Sequence, residues 1–253
     1  MRIEKDNEAL VRFRRSRPDH AQKREGWHVS DLTGVCLRRT MFRMVLGENP
    51  PGKGTVLRWD LGLEWEDMIK PIPDDGTPGV VVGPRDDVVG TLDWWDPVGV
   101  PGEAKLTWKS ANTPPEEFWW WHVQHKAYMH LTGTTWGILA VLYINGHYSK
   151  VPEGSPYGPM EPVAEVYRVF HTKQEIRDNW ATLLGNKVTI EDGLERKTTP
   201  PGAMLKGICG GCPYQDKLWG TEELGRRGMG FKTFPCDGLA KAFRDGAVQG
   251  ITR

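Results

Sequence analysis

A mixed α/β fold, with a mixed central sheet flanked by helices, is what this sequence predicts. Three observations carry that expectation. Short segments rich in Val and Trp recur between residues 79 and 107 and again between 136 and 170. Helical patterns precede, separate and follow them, in the order α, α, β, β, β, α, β, β, α. With 253 residues the chain can build one sizeable core and a small appendage.

The elements follow in order. Ser30 is placed to cap a helix running to about Leu46, with Gly47 as its stop. The stretch VLRWDLGLEWEDMIK predicts a second helix over about 56–70, ended by Pro71 and Pro73. GVVVG, VVGTLDWW and GEAKLTWK read as strands, and the turn-rich DPVGVPG joins the last two as a hairpin. Pro114, Pro115 and acidic residues open a helix over 115–131. WGILAVLYI is a buried strand turned by Asn145–Gly146, and EPVAEVYRVF is the return strand. Thr172 and Glu175 form a capping box for a last helix to about Leu184. From about residue 199 the chain is rich in Gly, Pro and Cys, with weak periodicity.

Thirty-three basic residues balance thirty-three acidic ones, so any electrostatic footprint for a nucleic acid must be local. Arg12, Arg14, Arg15 and Arg17 crowd together near the N-terminus and fit either a phosphate-contacting patch or a solvated face. No apolar run approaches the ~20 residues of a membrane span, and the charged start MRIEKDNEAL lacks a signal peptide's apolar centre. A soluble, cytoplasmic protein is expected, and in a reducing compartment four cysteines serve as metal ligands or free thiols. Twelve Trp, five of them clustered at Trp94–Trp95 and Trp119–Trp121, serve either core packing or stacking on unpaired bases.

The chemistry concentrates around GTLDWWD and GEAKLTW. Asp93 is expected to end one strand, and Glu103 and Lys105 share a face of the next, because side chains at i and i+2 point the same way. A hairpin brings Asp93 beside them. Two adjacent carboxylates favour a hard divalent cation between them, and the neighbouring lysine is suited to orient or help deprotonate water, or to stabilise charge on a phosphoryl group. Taken alone, this pattern also fits a surface ion pair. Two further features accompany it: Glu66, four residues after Gly62 on the preceding helix, and Gln124 with Tyr128 at i, i+4 on the following one.

This order, GxxxE, Asp, ExK and QxxxY, resembles the RecB-like PD-(D/E)XK nucleases. The resemblance spans about residues 28–236 and implies a restriction-endonuclease-like core. It implies that Glu66, Asp93 and Glu103 hold Mg2+ or Mn2+, with the Ala104 carbonyl as a further ligand and Glu64 competing for the first position. Lys105 takes the place of the catalytic lysine; Gln124 and Tyr128 take those of residues that position the scissile strand or the attacking water. His122 and His125 are expected to lie on the helix surface or to pack.

Cys36 precedes these motifs, and Cys209, Cys212 and Cys236 follow them. One cysteine before and three after is similar to the iron–sulfur branch of the superfamily, which includes CRISPR-associated RecB-like exonucleases, AddB and related phage nucleases. That similarity implies a 4Fe-4S cluster on the four thiolates, with a four-cysteine zinc site as the alternative. Leu37 departs from the usual Pro after the first cysteine, and 23 residues separate the last two cysteines where the family has a short gap. The expected organisation is one nuclease domain over 1–253. Its catalytic core covers about 48–198, and an iron–sulfur region is built from 28–47 and 199–240.

The implied activity is metal-dependent hydrolysis of DNA phosphodiester bonds, as an exonuclease on single-stranded or free ends. A DNA-end-binding adaptor with a vestigial site is the reading from another class. The resemblance further implies a bacterial, archaeal or phage-infected host cell, with a homo-oligomer or a recombination or CRISPR protein as further partners.

Overall fold

The computed structural model describes residues 26–34, 36–46, 61–66, 68, 80–147 and 161–200. Among these the fold is mixed α/β. Seven strands form two sheets, and helices pack against them.

The first sheet has the order β1-β3-β2, from β1 (Trp27–His28), β2 (Val80–Arg85) and β3 (Val88–Leu92). β1 runs parallel to β3, and β2 is antiparallel to it, with Val80 opposite Leu92. The second sheet has the order β4-β5-β6-β7, from β4 (Trp94–Asp96), β5 (Val100–Thr107), β6 (Trp136–Tyr143) and β7 (Val163–Phe170). It is mixed: β4–β5 and β6–β7 are antiparallel, while β5 and β6 run parallel. Parallel neighbours need a crossover, which the helix between them supplies.

That Asp93 ends a strand needs refinement. β3 stops at Leu92, Asp93 is a bend, and Trp94 starts β4 in the other sheet. VVGTLDWW is therefore two strands, and the expected hairpin forms between β4 and β5 alone.

The helix expected from Ser30 to Leu46 is broken into α1 (Val29–Leu32) and α2 (Leu37–Leu46). Asp31 takes the capping role, accepting from the His28 N–H at 3.0 Å and pairing with Arg43. Thr33 closes α1 on the Val29 carbonyl, and Gly34 follows; a Cβ there would lie 3.0 Å from Thr40 Oγ1. Of the predicted helix 56–70, residues 61–66 are helical (α3), and most of the rest lies outside the described residues. The helix expected over 115–131 starts with a 3-10 turn at Pro115–Glu117 before α4 (Trp119–Thr132), which ends on Gly133 at φ +74°.

The last helix, α5 (Lys173–Glu195), has the predicted Thr172–Glu175 capping box but runs past Leu184. Tertiary contacts carry it further. Ile190 is fully buried, Trp27 donates to Glu191 at 2.9 Å, and Lys187 donates to the Asp86 carbonyl at 3.0 Å. Gly185 does not stop it, since tertiary packing outweighs a cost of about 1 kcal/mol for one glycine.

The main core joins α1, α2, α4 and α5 to the first sheet through Leu32, Phe42, Leu92, Tyr128, Trp180 and Leu183. A second cluster, including Phe118, Trp121, Leu139, Val141 and Tyr143, fills the space between the start of α4 and the second sheet. On the opposite face of that sheet, Trp65 and Trp94 pack with Ala104 and Ala140. Strand alternation explains the division: Ala104 faces the tryptophans, so Glu103 and Lys105 face α4.

The tryptophans divide between core and surface. Trp94 and Trp121 are buried in these clusters, while Trp95, Trp119 and Trp120 are exposed. Among the described residues no helix is long and apolar enough to cross a membrane.

Candidate active site

The hairpin and the crossover helix bring most of the sequence-predicted residues together. Asp93, at the bend between the sheets, accepts the Ala104 N–H at 2.6 Å. That bond fixes its carboxylate against β5, beside Glu103. Glu103 is buried at 1% exposure and pairs with Lys105. Lys105 Nζ also donates to Gln124 Oε1 on α4 at 3.0 Å, and Gln124 Nε2 donates to the Tyr128 hydroxyl at 2.7 Å. A chain of polar contacts thus runs from Glu103 through Lys105 and Gln124 to Tyr128.

Glu66 lies close enough for its charge to act on both Glu103 and Lys105. Glu64, on the same helix, is exposed.

The electrostatics follow from burial. Loss of hydration pushes the Glu103 carboxyl up to about 8, Asp93 adds to the rise, and Lys105 opposes it. Burial works against the Lys105 ammonium too, but Glu103, Asp93 and Glu66 outweigh it and raise its pKa. Glu103 Oε2 is buried and has no hydrogen-bond partner among the described residues. A buried acceptor without a donor is costly, on the order of 1–3 kcal/mol.

That unpartnered oxygen next to a second carboxylate suits a hard divalent cation. The carboxylates do not stand as a ready-made ligand set, however. Among the described residues no three His, Cys, Asp or Glu side chains are grouped to hold a metal ion. Asp93 is turned to the Ala104 amide, and one oxygen of Glu103 to Lys105.

His125, expected at the helix surface or in packing, packs: it is 1% exposed, and burial pushes its pKa down to about 3. His122 is half-buried, with Nε2 3.0 Å from the Pro115 carbonyl. Of the cysteines, Cys36 is described: it is partly buried just before α2 and forms no disulfide among the described residues. Cys209, Cys212 and Cys236 lie outside the described residues, as do Arg12, Arg14, Arg15 and Arg17.

Sequence reasoning missed one contact near Cys36. The buried Arg38 donates through Nε to the Pro200 carbonyl at 2.9 Å, tying α2 to the start of the cysteine-rich tail. Arg38 stands two residues after Cys36 in the sequence, where spacing alone names no partner for it.

No protein-family model matches this chain, and no curated protein matches it. Solved structures similar to it include SSO0001, at 13% identity and a TM-score of 0.48, covering 85% of this chain and 94% of that one. A phage-related exonuclease from Haemophilus somnus 129PT is similar at 11% identity and a TM-score of 0.41, covering 63% of this chain and 80% of that one. LHK-Exo, solved in complex with dAMP, is similar at 12% identity and a TM-score of 0.36, covering 67% of this chain and 90% of that one.

Proposed function

We propose that this chain is a divalent-metal-dependent deoxyribonuclease with a restriction-endonuclease-like core of the RecB-like PD-(D/E)XK kind. The observation that carries the reading is the buried Glu103, set beside Asp93 and bonded to Lys105, which reaches Gln124. A surface ion pair would not be buried in this way, nor tied to a second element by an amide.

Asp93, Glu103 and Glu66, with the Ala104 carbonyl, are the residues that would hold Mg2+ or Mn2+. When bound, such an ion supplies Lewis-acid charge for a phosphate and acidifies a water. The chain's own residues do the rest. Lys105, kept cationic by three carboxylates, faces the phosphoryl oxygens and neutralises charge as it develops. Gln124 holds the ammonium in place, and Tyr128 holds Gln124. Pre-set donors of this kind need no rearrangement during the reaction.

The substrate we assign is DNA with single-stranded or free ends, and the activity is exonucleolytic. The exposed faces of Trp95, Trp119 and Trp120 support the single-strand preference, since base–aromatic stacking tolerates any sequence. We further assign Cys36, Cys209, Cys212 and Cys236 to a 4Fe-4S cluster, with zinc as the alternative. Support comes from Arg38, which brings α2 to Pro200, nine residues before Cys209.

The experiment is digestion of end-labelled single- and double-stranded DNA with Mn2+, comparing wild type with Asp93→Ala and Lys105→Ala. Loss of cleavage in both variants is expected. Equal activity in all three proteins removes the catalytic assignment, and equal inactivity favours a DNA-end-binding adaptor.

A further inference from the structure

Gly90 sits in the middle of β3, where glycine weakens a strand and often marks the close approach of another group. Here the group is the Tyr128 ring. A Cβ at Gly90 would fall 2.9 Å from both Cδ1 and Cε1 of Tyr128, and 3.0 Å from Leu131 Cδ1. Carbon atoms pack comfortably at about 3.5–4.0 Å. Leu131 is able to rotate away, but the ring is a rigid plate, 3% exposed and held at its hydroxyl by Gln124.

The helix is seated closely on the second sheet as well. One turn earlier on α4, the buried His125 fits against Gly137 of β6, where a Cβ would lie 2.5 Å from His125 Nε2. α4 therefore rests in two notches without side chains, one in each sheet. The notch at Gly90 lies directly under the residue that holds Gln124.

We propose that Gly90 is a positioning residue: by leaving room for the Tyr128 ring on β3, it sets the height of Gln124 and so the contact of Gln124 with Lys105. Its catalytic consequence rests on the nuclease reading. A methyl group at residue 90 pushes the ring outward by several tenths of an ångström, and misplacement by about 1 Å costs a catalytic group up to ~100-fold.

The test uses the full chain in four forms: wild type, Gly90→Ala, Tyr128→Ala and the double variant. Each is melted, and each is assayed on single-stranded DNA with Mn2+ below its melting temperature. Gly90→Ala should lower kcat about tenfold or more, with KM within about twofold. In the Tyr128→Ala background the same change should leave kcat and melting temperature nearly unaltered, because the ring it obstructs is gone.

Wild-type kcat in Gly90→Ala, or losses that multiply in the double variant, would overturn the inference while the nuclease reading stands. A wild type inactive on DNA overturns both. If Gly90→Ala fails to fold, a folded double variant supports the inference, and an unfolded one overturns it.

Discussion

Lys105 on β5 donates to Gln124 on α4 across 3.0 Å, so one side chain spans the strand that carries the acidic residues and the helix that crosses over it. The bond lies 19 residues apart in sequence and is half-buried. It places a fixed cation beside Glu103 and makes the α4–β5 packing part of the site's geometry.

That bond predicts the effect of Gln124→Ala. The ammonium loses its second anchor but keeps Glu103, so cleavage should slow by about 10- to 100-fold rather than vanish. Stability should fall by only about 1 kcal/mol, the net worth of an ordinary hydrogen bond. Single-turnover digestion and denaturant unfolding check both figures; a rate within twofold of wild type would remove Gln124 from the site.

The unpartnered Glu103 oxygen predicts stabilisation by divalent ions. Millimolar Mn2+ should raise the melting temperature, since a ligand at 100 times its Kd stabilises the native state by about 2.7 kcal/mol. Glu103→Gln keeps the shape and removes the charge, so it should lose most of that rise. An identical rise in wild type and Glu103→Gln would place the ion elsewhere.

His125 predicts an acid-sensitive stability. Its folded pKa is pushed down to about 3 by burial, whereas a free histidine titrates near ~6.5. Between these values the unfolded chain binds a proton that the native chain does not. Stability on this account rises with pH from about 3 to 6.5, levels off above, and is lost on acidification at up to about 1.4 kcal/mol per pH unit. Unfolding at pH 5, 6 and 7 should give a flatter dependence for His125→Leu than for wild type, and parallel curves would contradict the burial argument.

Cys36 predicts a staple. If four thiolates hold an iron–sulfur cluster, the purified protein is brown, and Cys36→Ala loses colour and stability more than it loses the chemical step. A colourless wild type with stoichiometric zinc would replace iron in the assignment. Unchanged metal content and melting temperature in Cys36→Ala would remove that cysteine from any site.

Much of the site was legible in the sequence because its signals are local. Glu103 and Lys105 share a strand face by the two-residue period, and Gln124 and Tyr128 share a helix face by the four-residue one. The Thr172–Glu175 capping box was legible for the same reason. Element boundaries were less so. Whether a helix breaks after Leu32 or continues beyond Leu184 depends on partners distant in sequence, such as Arg43 for Asp31 and Trp27 for Glu191.

By itself, then, the sequence determined the alternation of helices and strands and the grouping of an acidic pair with a lysine, since both are written in short-range spacing. Only the tertiary structure decided that Asp93 marks a switch between two sheets, that Glu103 is buried, and that Tyr128 rests on Gly90. Burial and close approach depend on which surfaces meet after folding, and spacing along one chain carries no record of that.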